Sequence, residues 1–262
     1  MRMRRRRLGN LLVVVGILVC AYAAAVVWWR DPVTDLYAAW KQRGLDDGLA
    51  AASARYEDRA RALTADLMPV AAPAATGEQP APAAPAKTPA ARPAAVPDGR
   101  KVKAAVGVLA GEVAREYRDR TGAALGELRI PRLGVGTIFV QGTDYWGALA
   151  KGPGRYERTA FPGQGKVIGV AGHRTTFSAP FRKINVLSAG DTVELEMPYG
   201  TFRYRVTSHK IVDDGDWSII KPVGHEQLVL SACHPLYSAE QRWVVFAKLD
   251  AITLPGGPSV PV

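Results

Sequence analysis

From Leu8 to Trp29 the chain runs for 22 residues without a charged side chain, and no other stretch limits its folding so severely. In hydrocarbon every peptide group must be satisfied internally, and within one isolated segment only a helix does this. At 1.5 Å rise per residue the segment spans ~33 Å, against ~30 Å for the apolar core of a bilayer. Five arginines, Arg2 and Arg4 to Arg7, precede it. Such a basic flank stays in the cytoplasm, which sends the rest of the chain outside. A cleavable signal peptide is the competing reading, because a basic start and the small residues between Ala21 and Ala25 suit it. The apolar stretch continues past those alanines to the pair Trp28 and Trp29, which fits an interfacial belt better than a cleavage site. Residues 1–30 are therefore expected to be a basic cytoplasmic flank and a single transmembrane helix.

Composition then changes twice before a β-rich region begins. Asp31 and Pro32 read as an N-cap followed by proline at N1, and Val33 to Leu67 is rich in Ala, Leu, Arg and Glu. This predicts a helical stalk over 31–68, broken or weakened at Gly44 and Gly48. Pro69 to Gly99 carries eight prolines and almost no large apolar residues, so it cannot form a core. As a polyproline-like linker over 69–100 it would reach roughly 90 Å at ~3.1 Å per residue and hold the C-terminal half away from the bilayer. Val102, Val106, Leu109 and Val113 recur at helical spacing, so 101–125 should be a helix leading into the next domain.

The net charge of +10 suggests nucleic acid until its distribution is considered. Residues 30–100 carry nine basic and nine acidic side chains, and residues 101–262 carry twenty basic against fifteen acidic. No run of Lys and Arg interleaved with aromatics occurs beyond the N-terminal cluster. The modest excess suits an anionic wall or lipid surface more naturally, and no nucleic-acid partner is expected.

After residue 126, short runs of β-formers alternate with turn signals: Glu127 to Ile130, Thr137 to Gln141, Lys166 to Ala171, Thr192 to Met197, Thr201 to His209, Gln227 to Cys233 and Arg242 to Asp250. Strands this numerous and short predict a mainly β fold, a closed barrel over 126–254 with a tail at 255–262.

Cys233 ends one of these strands and Arg242 opens the next, so an antiparallel pairing would set them face to face. The other cysteine, Cys20, lies in the apolar segment, so no disulfide within the chain is expected and an exported lone thiol reads as a nucleophile. A thiol needs a nearby base, since its ordinary pKa of ~8.5 leaves it mostly protonated. Of the four histidines, His173 follows the strand Lys166 to Ala171 and opens a polar loop, the usual place for reactive groups. His234 adjoins Cys233 and should point to the opposite face, while His209 and His225 read as surface residues. The acidic turn Asp213 to Asp216 lacks the spacing of a calcium loop, so no metal and no cofactor are expected.

Three motifs in order, Gly154-Arg-Tyr-Glu-Arg-Thr-Ala-Phe-Pro-Gly163, Val170-Ala-Gly-His-Arg-Thr-Thr-Phe177 and Leu230-Ser-Ala-Cys-His-Pro235 with Ser238-Ala-Glu-Gln-Arg-Trp-Val-Val245, resemble the sortase transpeptidases, most closely the class E sortases of actinobacteria. The resemblance covers about 126–249 and implies an eight-stranded sortase-type β-barrel with His173, Cys233 and Arg242 at the catalytic positions. It further implies that Cys233 cleaves a Leu-Ala-x-Thr-Gly or Leu-Pro-x-Thr-Gly-like sorting signal on secreted proteins between Thr and Gly. The acyl group would then pass to a peptidoglycan precursor amine. Ser231, Ala232 and Thr175 are candidate substrate contacts; Ala232 departs from the Thr common at that position. A pilin-polymerising sortase, an L,D-transpeptidase-like wall enzyme and an inactive membrane-tethered binding protein stay open at this point, although the Ser-x-Gly-Cys-x-Arg signature of the L,D-transpeptidases is absent.

Overall fold

The computed structural model describes residues 2–28, 31–65 and 98–262. Three helices, α1 (Arg2–Trp28), α2 (Pro32–Thr64) and α3 (Gly99–Glu116), precede nine strands. These are β1 (Ala124–Ile130), β2 (Val135–Gln141), β3 (Gly154–Arg155), β4 (Val167–Ala171), β5 (Thr192–Met197), β6 (Gly200–Asp213), β7 (Gln227–His234), β8 (Gln241–Thr253) and β9 (Ser259–Pro261). The order β6-β5-β1-β2-β3-β4-β7-β8 closes on itself because β6 also pairs with β8, giving an eight-stranded barrel. β9 adds to the end of β8, pairing Ala251 with Pro261 and Thr253 with Ser259 beyond the stretch that β7 occupies.

The antiparallel pattern prevails, through hairpin-length connections at β1–β2, β5–β6, β7–β8 and β8–β9 and through pairings of distant strands at β1–β5 and β6–β8. The exceptions, β2 with β3 and β4 with β7, are parallel. The β4–β7 pairing puts β7 in the middle of its sheet, covered on both faces. Leu228, Leu230 and Ala232 point into the main core, and Val229 joins Val167, Val212, Ile219 and Val244 in a second cluster outside it. Burial on both faces accounts for the consecutive apolar residues Leu228, Val229 and Leu230 in β7, where a half-exposed strand would alternate.

α3 carries its apolar residues at i, i+4, i+7 and i+11, and Val102, Val106, Leu109 and Val113 are all buried. They enter the same core as Phe139, Phe202 and Tyr204 of the barrel. α2 is not interrupted at Gly44 or Gly48, contrary to the sequence expectation. Each glycine costs about 1 kcal/mol in a helix interior, but α2 is fastened to the rest of the molecule on both sides of them. Before them, Gln42 Nε2 donates to the carbonyls of Ile138 (3.0 Å) and Lys151, while its Oε1 accepts from Thr137 Oγ1 (3.1 Å) and Ile138 N (2.9 Å). After them, Ala52, Tyr56 and Ala60 are buried. Tyr56 OH donates to Glu116 Oε2 of α3 at 2.6 Å.

This docking also corrects the expected role of the segments before the barrel. The Pro/Ala-rich segment lies almost entirely outside the described residues, as do the side chains of Trp28 and Trp29. Yet α2, which begins at Pro32, already contacts the barrel, so the chain reaches the β domain before the Pro/Ala-rich segment starts. α2 therefore packs against the barrel rather than standing free between it and α1, while the expected spacer over 69–100 lies almost wholly outside the described residues.

Gln42→Ala should remove the partner of the Ile138 amide in a half-buried seam and cost about 2 kcal/mol. Chemical unfolding should show that loss, with a lowered melting temperature; an unchanged midpoint would mean that the Gln42 hydrogen bonds contribute nothing to the fold.

Candidate active site

Strand register assembles the site. In the parallel β4–β7 pair, Ala171 lies opposite Ser231, so His173 and Cys233 each stand two residues beyond the last matched position. In the antiparallel β7–β8 pair, Cys233 lies opposite Arg242. Adjacent strands are ~4.8 Å apart, so the three side chains are on neighbouring strand ends at one level. Alternation sets their face: residues 230 and 232 enter the core, so Ser231 and Cys233 point outward. Together with Arg242 and His173 they line one cleft of about 630 Å³.

The walls come from loops. A single π-turn at Tyr145–Leu149 contributes Tyr145 and Leu149, and a 3₁₀ turn at Trp217–Ile220 contributes Trp217 and Ile219. Asp216 caps the latter by accepting from Ser218 N at 2.9 Å. Asp214, in the same acidic turn, pairs with the Arg242 guanidinium. Among the described residues no cluster of three metal-ligating side chains occurs.

His173 sits between aromatic rings, with Phe177 at 5.0 Å and Tyr145 at 5.4 Å between centroids. Burial there disfavours the charged imidazolium and lowers its pKa to about 4. Its Nε2 has no hydrogen-bond partner among the described residues. The imidazole is therefore neutral at pH 7 and has a ring nitrogen uncommitted to the protein.

Arg242 Nη1 donates to the carbonyls of Ala239 (2.9 Å) and Gln241 (3.0 Å), and Nη2 faces Asp214. A guanidinium has five donors, so Nε and one Nη2 hydrogen are left for a ligand. Arg242 is thus both the ion-pair partner of Asp214 and part of the cleft lining.

Several cleft residues escaped the sequence reading. Arg174, 4% exposed, donates to the Cys233 carbonyl (3.1 Å), approaches His234 Nδ1 (3.3 Å) and reaches Asn185 Oδ1 (2.9 Å). It braces the Cys233 backbone from below and ties it to the loop after His173. Tyr156 OH bonds Ser231 Oγ at 2.8 Å, which buries the serine hydroxyl at 1% exposure. Ser231, Ala232 and Thr175 all border the cleft; Ser231 and Ala232 are buried and Thr175 is half-buried. No periodicity could reveal the Arg174 and Tyr156 contacts, since they join positions 59 and 75 residues apart. The remaining histidines lie elsewhere: His209 is exposed and stacks on Trp243 at 5.0 Å, and His225 is exposed.

A histidine held neutral in the folded state gives a definite pH dependence. The unfolded chain takes up a proton near the ordinary value of about 6.5, whereas folded His173 does so near about 4. Its contribution to stability is therefore complete above the upper value and is lost as pH falls through this window. Proton NMR should give a His173 midpoint well below the ordinary histidine value of about 6.5, and His173→Phe should flatten the stability profile between these limits. A His173 midpoint near 6.5 would contradict the burial argument.

The sequence profile of the Sortase domain matches residues 128–250. Sortase D of Bacillus subtilis is 36% identical over 137 residues, covering 50% of this chain and 67% of that protein. Sortase SrtE1 of Streptomyces coelicolor is 29% identical over 143 residues, covering 49% of this chain but only 41% of the relative. The crystal structure of Sortase E1 from Streptomyces coelicolor with a tripeptide in the active site superimposes with a TM-score of 0.50 and 27% identity. That alignment covers 52% of this chain and 93% of the other. A barrel of this topology, the ordered motifs on β4, β7 and β8, and a relative matched over two thirds of its length lead to one conclusion: the chain belongs to the sortase family of transpeptidases.

Proposed function

We propose that this protein is a membrane-anchored cysteine transpeptidase in which Cys233, His173 and Arg242 carry the chemistry. The observation that supports this best is their convergence at one level of three adjacent strands, in a single cleft. The substrate is a secreted protein bearing a Leu-Ala-x-Thr-Gly or Leu-Pro-x-Thr-Gly-like signal, cleaved between Thr and Gly, and the acceptor is a cell-wall precursor amine. The tripeptide in the active site of the Streptomyces coelicolor structure is in keeping with a peptide substrate.

The protonation state of His173 orders the steps. Being neutral at pH 7, it first accepts the thiol proton as Sγ attacks the Thr carbonyl carbon. The resulting oxyanion is stabilised by the Arg242 donors not held by Asp214, Ala239 and Gln241. Collapse breaks the C–N bond, and the proton now on His173 passes to the departing Gly amine. The acceptor amine then attacks the thioester and yields its proton to His173, which returns it to the Cys233 thiolate. One proton leaves on the departing amine and one enters with the acceptor amine, so the cycle has no net proton change and a histidine with a low resting pKa suffices.

Residues 7–26 of α1 are long and apolar enough to cross a bilayer. With five arginines before them, they support a single-pass topology with the N-terminus in the cytoplasm and the barrel outside. Protease added to spheroplasts should degrade the barrel; its protection would reverse the topology.

Cys233→Ala should abolish peptide cleavage and transfer while circular dichroism stays native, and cleavage near the wild-type rate would remove Cys233 as nucleophile. Arg242→Lys keeps the charge but loses the planar fork, so kcat/KM should fall by roughly 10²-fold or more, as on loss of an oxyanion donor. A pure ion pair with exposed Asp214 predicts instead less than ~1 kcal/mol of stability change and a near-native rate.

A further inference from the structure

α2 has its polarity reversed in its first two turns. A helix packed on a soluble domain buries its apolar stripe and exposes its polar face. Here Thr34, Asp35, Ala38 and Gln42 face the barrel, whereas Val33, Leu36 and Trp40 are 63%, 70% and 60% exposed. Thr34 Oγ1 accepts from Phe177 N (3.0 Å) and Asp35 Oδ1 from Ser178 N (2.7 Å), so this orientation is fixed by hydrogen bonds to the loop after His173.

The outward stripe belongs to a larger aromatic surface. Trp40 lies 6.0 Å from Tyr37, Tyr37 6.1 Å from Phe177, and Phe177 6.0 Å from Trp146, which is 66% exposed. Lys41 Nζ stands 4.6 Å from the Trp40 ring. Beyond Trp40 the outward face turns polar, with Arg43, Asp46 and Asp47 exposed. The apolar patch is thus confined to the end of α2 nearest α1. Only residues 29–31 separate these helices, about 14 Å of chain at full extension. Tyr22 OH donates to Asp31 Oδ1 (2.8 Å) and Tyr237 OH, at the cleft rim, to the Val26 carbonyl (3.3 Å).

We propose that the face formed by Val33, Leu36, Trp40 and Trp146 docks on the outer surface of the bilayer and turns the His173 side of the cleft toward the lipid headgroups; this rests on the membrane-anchored reading of the chain. Tryptophan and apolar side chains beside a lysine match the boundary between headgroups and acyl chains, and the patch lies on the end of α2 that follows α1 in the chain. Substrates held at the bilayer surface would then meet the cleft directly. The same two turns of α2 that touch lipid also hold Phe177 and Ser178, so docking and the His173 loop are joined by the Thr34 and Asp35 hydrogen bonds.

The test uses the full chain in vesicles of phosphatidylcholine with phosphatidylglycerol, brominated near the headgroup end of the acyl chains, which quench nearby tryptophan emission. Six tryptophans are present, so single Trp→Phe variants assign the quenched signal. Trp40→Phe and Trp146→Phe should each remove part of it, whereas Trp217→Phe, on the 3₁₀ turn Trp217–Ile220 and outside this patch, should not. The double variant Leu36→Glu with Trp40→Glu should keep the wild-type melting temperature, since both side chains are exposed, and should lose quenching at Trp146. Quenching that persists unchanged in Trp40→Phe and Trp146→Phe would come from Trp28 and Trp29 and would overturn docking while leaving the anchor intact. Absence of quenching in every variant would remove anchor and docking together. Concentration-dependent protection of Trp40 without lipid quenching would assign the face to a second copy of the chain and likewise overturn the proposal.

Discussion

The parallel pairing of β4 with β7 is the constraint on which the rest depends. It is the long-range contact that brings His173 beside Cys233, and it must be made in the correct register. A shift of one residue would turn Cys233 into the core and bring Ala232 and His234 outward. Register is held from both sides: Leu228, Leu230 and Ala232 fill the main core, and Val229 fills the outer cluster with Val167 and Val244. Packing on two faces thus fixes the site geometry before any catalytic group is considered.

Much of this is readable in the chain. The Cys233–Arg242 juxtaposition follows from two short β-rich runs and a short connection, because antiparallel neighbours are local in sequence. The four apolar positions of α3 follow from helical period alone. His173 can be nominated as a loop residue after a strand, but the placing of β4 beside β7 cannot, since two whole strands, β5 and β6, lie between Ala171 and Gln227 in the sequence. The resemblance to the family closes that gap where physical periodicity does not.

The misreadings share a cause. Gly44 and Gly48 predict a weak helix only if α2 is judged alone; tertiary contacts of Gln42, Ala52 and Tyr56 override propensity. A stalk is suggested by position in sequence between a span and a linker, and position does not reveal that Thr34 and Asp35 bond to a loop 143 residues away. Arg174 and Tyr156 lie inside recognised motifs, yet their partners, the Cys233 carbonyl and Ser231 hydroxyl, become visible only when the strands are in register.

The proposed chemistry asks little of the scaffold beyond placement: a neutral imidazole shuttles one proton, and an arginine steadied by Asp214 directs its remaining donors. The most direct measurement is mass spectrometry of the full chain after incubation with a library of x-x-Thr-Gly peptides and no added amine. Nucleophilic attack by Cys233 predicts a thioester adduct of the residues up to and including Thr, mapped by digestion to Cys233 and discharged on adding an amine. Cleavage of peptides with no covalent adduct on Cys233, or an adduct mapped elsewhere, would contradict it.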